Sequence, residues 1–174
     1  MRNLTGTELK RQHRDWRRRT EGRLALLLDG VQTPYNVGTI LRTAAALRVD
    51  HLWLVPPTES PDHPKTAKTA LGSQRYLTWT WADDVDQAAD QVAAAGYALI
   101  GLELADEAQP LHELDLPPDV CLAVGHEDRG LSKAGLARCQ AVGFVPQLGA
   151  IGSLNVGVAA SIGLYEVRRR SWTG

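Results

Sequence analysis

Three short segments of this chain concentrate side chains that do chemistry. The first runs Asn36-Val37-Gly38-Thr39-Ile40-Leu41-Arg42. Asn36 is a good helix cap, because its amide oxygen accepts from an early backbone N–H. Gly38 and Arg42 stand four residues apart and share a helix face, so Arg42 leans back over the clear surface that the glycine leaves. A guanidinium at a helix opening suits an anion, above all a phosphate. The plain alternative is a surface arginine on a helix whose apolar face is Ile40, Leu41, Ala44 and Leu47. The second segment is Gly125-His126-Glu127-Asp128-Arg129-Gly130. Its terminal glycines allow a sharp turn and a close ligand approach, or simply hinge a polar turn. The third runs from Phe144 and Val145 through a glycine-spaced apolar loop to Ser153, Leu154, Asn155 and Val156. Helix capping accounts for Ser153 or Asn155. A loop this apolar also suits a flat heterocycle, with backbone amides as its polar contacts.

These segments need elements to hold them. Apolar runs near 24–28, 51–55, 76–80, 97–102, 120–124 and 141–145 predict six strands. Several are continuously apolar, as in parallel strands covered on both faces. Helical patterns near 37–48, 64–71, 84–95, 132–139 and 153–170 alternate with them. The expected fold is α/β, a mostly parallel six-stranded sheet with helices on both faces. A further helix over 5–19 precedes the first strand, with Thr5 and Glu8 spaced as a capping box. In such a sheet ligands gather beyond the carboxyl ends of the strands, where all three segments fall.

Several function classes lose their usual warrant. Asp29–Gly38 lacks the GxGxxG of a dinucleotide site, and no P-loop, GxSxG elbow or HExxH occurs. The 174 residues, 44% apolar and 22% charged, fit one ordinary globular domain and no disordered or collagenous chain. No apolar run approaches the roughly 20 residues of a membrane span, and the N-terminus lacks the apolar core of a secretory signal. Cys121 and Cys139 are expected to be reduced thiols, which suits the cytoplasm, and no metal is expected. The net charge of −1 hides a split. Residues 1–23 hold eight Lys/Arg against three acids, and 168–170 are all arginine. The stretch between carries eight bases and seventeen acids.

In this order and spacing the three segments resemble the SPOUT superfamily of methyltransferases, in its SpoU/TrmH branch of RNA ribose 2′-O-methyltransferases. The resemblance spans roughly residues 23–168. It rests on Asn36, Gly38 and Arg42, on Gly125-His126-Glu127 with Gly130, and on Val145-Pro146 with Ser153-Leu154-Asn155-Val156. The continuation AASIGLYEVRRR, with KTAKTALGSQRYL at 65–77, is most similar to the subgroup that methylates a guanosine ribose in the tRNA D-loop. The resemblance implies a C-terminal deep trefoil knot, an exception to the rule against knotted chains. It also implies S-adenosylmethionine as cofactor and a homodimer whose site draws on both subunits. The implied cofactor contacts are Leu102, Glu103, Leu104, Gly125, Val145, Ser153 and Leu154. Asn36, Arg42, Glu127, Ser153 and Asn155 would be the polar residues at the chemistry.

A guanidinium hardly ever loses its proton, so Arg42 is expected to grip the phosphate beside the target ribose and orient the hydroxyl. A phosphate oxygen, a water or a transiently neutral arginine then takes the proton. The basic ends supply RNA contacts that read phosphates rather than sequence: Lys10, Arg11, Arg14, Arg18 and Arg19 in front, and Arg168, Arg169 and Arg170 behind. Tyr35 stands where the subgroup usually has histidine and Gly157 where serine is common. Tyr35 is still expected to stack on a base or hydrogen-bond. The small N-terminal RNA-binding domain of ribosomal-RNA members is absent from these residues, which favours tRNA. The alternatives are the wobble ribose of tRNA, rRNA, an RNA-binding module without turnover, and a small-molecule-binding α/β protein.

Overall fold

The computed structural model describes residues 1–173; Gly174, the end of the expected basic stretch at 165–174, lies outside the described residues. Seven strands form one parallel sheet: β1 (Leu24–Asp29), β2 (His51–Val55), β3 (Trp79–Trp81), β4 (Ala98–Leu102), β5 (Gln109–Pro110), β6 (Val120–Gly125) and β7 (Ala141–Phe144). Six helices accompany it: α1 (Gly6–Arg18), α2 (Pro34–Ala46), α3 (Pro64–Ala70), α4 (Val85–Ala94), α5 (Lys133–Arg138) and α6 (Val156–Arg170). The expectation of six strands is therefore corrected to seven. The strand missed is β5, whose two residues pair with Gly143 and Phe144 and are too few to show a period. The strand expected at 76–80 begins later, because Ser73–Tyr76 forms a 3₁₀ turn.

The strand order is β3-β2-β1-β6-β4-β7-β5. β1 lies centrally and every one of its residues is buried, which is why LALLLD reads as apolar without alternation. Leu24, Leu26 and Leu28 face a core shared with α2 and α6, through Ile40, Leu41, Ala160 and Leu164. Ala25 and Leu27 face the opposite core, shared with α4 through Val85, Ala88 and Val92. From β1 the chain builds first towards β2 and β3, then crosses to β4 on the other side, and β6 later enters between β4 and β1. At that switch point Asp29 pairs with Gly125, so the first two segments leave the sheet side by side. Leu102 pairs with Gly143, which brings the ends of β4 and β7 together for the third.

α1 stands outside this sandwich and buries none of its residues. Its start is the expected capping box, with Thr5 and Glu8 bonding each other's backbone N–H groups. Trp16 holds its other end, its ring packed against that of Trp172 with centroids 5.0 Å apart and planes tilted by 52°. Among the described residues no helix is long and apolar enough to cross a membrane, and no cluster of His, Cys, Asp and Glu is arranged to hold a metal. Both cysteine thiols are free.

Candidate functional site

Glu127 is the hub of the site. Its Oε1 accepts from the backbone N–H of Thr33 at 2.8 Å and from Asn36 Nδ2 at 3.0 Å, and its Oε2 from Gln32 N–H at 3.1 Å. The helix cap of α2 is Thr33, which makes no side-chain cap bond. The carboxylate of Glu127 sits at this helix opening instead, where a negative charge is favoured. Burial alone would raise its pKa. Hydrogen bonds from Asn36, from Thr33, from its own backbone and from Gln32 outweigh that and hold it at about 2.

Asn36 is thus not the cap expected of it. It is 4% exposed in the first turn of α2, donating to Glu127 and accepting from Asn155 Nδ2 at 2.9 Å. Asn155 caps α6, its Oδ1 accepting from Gly157 N–H at 2.9 Å and Val158 N–H at 3.3 Å. Capping and networking are one arrangement here. Asn155 uses its oxygen for its own helix and its NH₂ for Asn36. Ser153, the other candidate cap, is exposed on the preceding loop.

Gly38 does not open a surface for Arg42. A Cβ there would come within 2.6 Å of Thr69 Cβ and 2.8 Å of Thr66 O, so the glycine is where α3 packs against α2. Thr39 and Thr43 face α6 instead, where Thr43 Oγ1 lies 2.9 Å from Ser161 Oγ. The 100° step of a helix leaves Tyr35, Arg42 and Ala46 on the outward ridge between those two neighbours. Arg42 and Tyr35 are exposed, and among the described residues Arg42 has no ion-pair partner. Asn36 and Arg42 are six residues apart, or about 9 Å along the axis.

The second segment folds on itself. His126 and Gly130 exchange backbone hydrogen bonds at 2.9 and 2.8 Å. Gly125 must be glycine because a Cβ would overlap the backbone of Gly130. Gly130 has φ +66°, and a side chain there would overlap the carboxylate of Glu103. Glu103 fastens the far side of the turn, accepting from Leu131 N–H and Leu104 N–H, each at 2.9 Å.

Between β4, β7 and the third segment lies a small cavity of about 70 Å³. Leu102, Glu103, Leu104, Val145, Ser153 and Leu154 line it, six of the seven residues expected to contact a cofactor. Gly125 does not; it supports the neighbouring turn. Phe144, Gln147 and Ala159 line it too and were missed. Gln147 carried a visible signal, as the one long polar side chain in an apolar loop. Its Oε1 is buried without a hydrogen-bond partner. In the loop behind it Gly149 and Gly152 have open space, while Leu148 and Ile151 stand exposed.

The expectation that Arg168, Arg169 and Arg170 all contact RNA is corrected at Arg168, which is buried. Arg168 is 4% exposed and donates to the carbonyl oxygens of Leu47 at 2.9 Å, Gly22 at 3.1 Å and Arg48 at 2.5 Å. It closes the C-terminal end of α2, where orphan carbonyls want a cation. Arg170 reaches the carbonyls of Leu111 and Leu114, and Arg169 pairs with Glu166. By contrast Lys10, Arg11, Arg14, Arg18 and Arg19 are all exposed on or beside α1.

The three loops meet beyond the carboxyl edge of the parallel sheet, at the switch point where open α/β sheets bind ligands. The chain belongs to the SpoU rRNA methylase family, whose model matches residues 23–165. It is 34% identical over 150 residues to an uncharacterised tRNA/rRNA methyltransferase of Synechocystis, covering 86% of this chain and 54% of that one. An rRNA methyltransferase of Sinorhizobium meliloti with AdoMet bound superposes with TM-score 0.81 at 30% identity, covering 89% of this chain and 59% of the other. A structure described as giving insight into 2-OH methylation of C/U34 on tRNA superposes with TM-score 0.76 at 28% identity, covering 86% and 96%. The chain thus spans between half and three-fifths of the length of the first two.

Proposed function

We propose that this chain is an S-adenosylmethionine-dependent RNA methyltransferase that modifies a ribose 2′-hydroxyl in tRNA, with the D-loop guanosine as its target. One observation carries the reading: Glu127, Asn36 and Asn155 bond in series, so that the three segments form a single site beside the cavity. Three loops distant in sequence meet here through the buried amide of Asn36, the half-buried carboxylate of Glu127 and the exposed amide of Asn155. The exposed basic α1 and the resemblance to the D-loop subgroup favour tRNA. The neighbour concerned with C/U34 supports the wobble ribose as second reading, and the Sinorhizobium neighbour keeps rRNA in view.

The residues present fit the cofactor. Leu102, Phe144 and Leu154 give an apolar wall, Gln147 Oε1 is an acceptor without a donor, and Gly149 and Gly152 let backbone amides approach. When bound, the cofactor supplies an electrophilic methyl group. Everything else is positioning by the chain. Glu127, through Asn36, fixes the opening of α2 and hence the ridge that carries Arg42. Arg42 holds a phosphate of the substrate through two N–H groups and sets the neighbouring ribose. The hydroxyl proton leaves to a phosphate oxygen or water, since the guanidinium keeps its own.

The reading extends to assembly. Val158, Ile162 and Tyr165 form an exposed apolar stripe on α6, 45%, 39% and 51% exposed, beside the Arg42 ridge. A second copy covering this stripe gives a homodimer that brings two ridges together. We also propose one methyltransferase domain with α1 as an RNA-binding extension, a trefoil knot in the C-terminal segment, and a cytoplasmic location. The test of the target is methylation of unmodified tRNA and rRNA transcripts side by side, followed by nuclease mapping. A 2′-O-methylguanosine in the D-loop supports the assignment; a methylated position 34 or label confined to rRNA overturns it.

A further inference from the structure

A large cavity lies away from the three loops of the candidate site, and nothing in the reading above uses it. It is a groove of about 620 Å³ between α1, the last turn of α2 and the C-terminal residues. Trp16 and Trp172 form one wall. Tyr76, 70% exposed, stands in the other, and His13, Arg17 and Arg48 border the opening. No acidic residue lines it, although the chain as a whole has one more acid than base. Its floor is locked, because Arg168 binds the carbonyls beneath. Arg48 holds φ +55°, a left-handed backbone uncommon outside glycine, which turns the chain sharply where α2 ends.

Tyr76 stays 70% exposed although Arg75 lies over its ring at 4.8 Å, and among the described residues neither Arg17 nor Arg48 makes a salt bridge. An exposed ring beside such cations, with no carboxylate, is what an unstacked nucleobase and its phosphate require. Rings accept any base face, and cations take the backbone charge. The groove begins at Ala45 and Ala46, one turn beyond Arg42. We infer that it is a second RNA subsite, which stacks an unpaired base a few nucleotides from the methylated ribose on the same strand. Resting on the proposed RNA activity, the inference adds a specificity element to it: the substrate must offer a splayed base at a set distance from its target. Tyr76 supplies the stacking face and Arg48 the phosphate contact.

The test compares Tyr76→Ala, Tyr76→Phe and Arg48→Asn in the full chain; asparagine tolerates the left-handed backbone at 48. Affinity for an unmodified tRNA transcript is measured by filter binding across salt concentrations, beside cofactor calorimetry and molecular mass by light scattering. Tyr76→Ala should weaken RNA binding about tenfold and Tyr76→Phe should restore it. Arg48→Asn should flatten the log affinity against log salt slope by about one. Cofactor affinity and mass should not change. Unaltered RNA affinity in Tyr76→Ala and Arg48→Asn overturns the subsite, and so does a change in mass, which makes the groove a contact between copies. Binding is read without turnover. Wild-type RNA binding with no methyl transfer therefore sinks the enzymatic reading while leaving the groove standing.

Discussion

Asn36 Nδ2 donates to Glu127 Oε1 across 91 residues of sequence, at 3.0 Å. This bond ties the opening of α2 to the turn after β6, and the partner bond from Asn155 adds α6. It converts three loops that each look unremarkable into one surface, with Arg42 on its outward ridge.

Replacing Glu127 by Gln keeps the shape but puts an NH₂ among three donors. At least one of the contacts from Thr33, Gln32 or Asn36 is then lost. The expected cost is about 1–3 kcal/mol of stability, read from urea unfolding. Methyl transfer should fall by more than the folded fraction does. Stability and turnover both equal to wild type would remove Glu127 from the role given to it.

Acid should act through the same carboxylate. Its folded pKa of about 2 lies below the usual 4.5, so the folded state binds the proton less readily than the unfolded. Its stabilisation is complete well above 4.5 and drains as pH falls through about 2. The gap in urea midpoint between wild type and Glu127→Gln should therefore be widest near neutrality and shrink at about pH 3. A gap that widens on acidification contradicts this sign.

Arg42→Lys keeps the charge and loses the planar fork. If Arg42 holds a phosphate through two parallel N–H donors, turnover should drop by tenfold or more while cofactor affinity stays unchanged. Near wild-type turnover in the lysine variant defeats the positioning role.

Arg168 makes the opposite prediction from its basic neighbours in α1. Arg168→Met leaves the carbonyls of Gly22, Leu47 and Arg48 without their donor and should cost about 3 kcal/mol of stability. Reversing Arg11, Arg14 and Arg18 to Glu should leave the urea midpoint nearly unchanged, since they bury nothing, and abolish RNA binding at moderate salt.

How much of this could be read from residues alone depended on the range of the interaction. LALLL at 24–28 announced a strand buried on both faces, and Thr5 with Glu8 announced a helix start, because each is a local pattern. The cavity wall was implied only by the resemblance to the SpoU/TrmH branch, which named Leu102–Leu104 and Val145; the pairing of β4 with β7 is what brings them together. Asn36 was misjudged as a cap, because its partners come from loops far along the chain and no local rule names them. The four-residue spacing suggests a clear surface at Gly38, which is instead the contact point of α3. Arg168 looked like its two neighbours in RRR, yet the helical period turns it inward to the end of α2 while Arg169 faces out. Gly157, a departure from the expected serine, lies against Thr39: a Cβ there would meet Thr39 Cβ at 3.3 Å, so glycine lets α6 come close to α2.

The most direct measurement is transfer of labelled methyl from S-adenosylmethionine to unmodified tRNA by the purified chain, with cofactor binding followed in parallel by calorimetry. The account predicts saturable cofactor binding and alkali-stable label in the RNA, abolished in Arg42→Ala with cofactor binding retained. Absence of cofactor binding, or transfer that Arg42→Ala leaves intact, would contradict it.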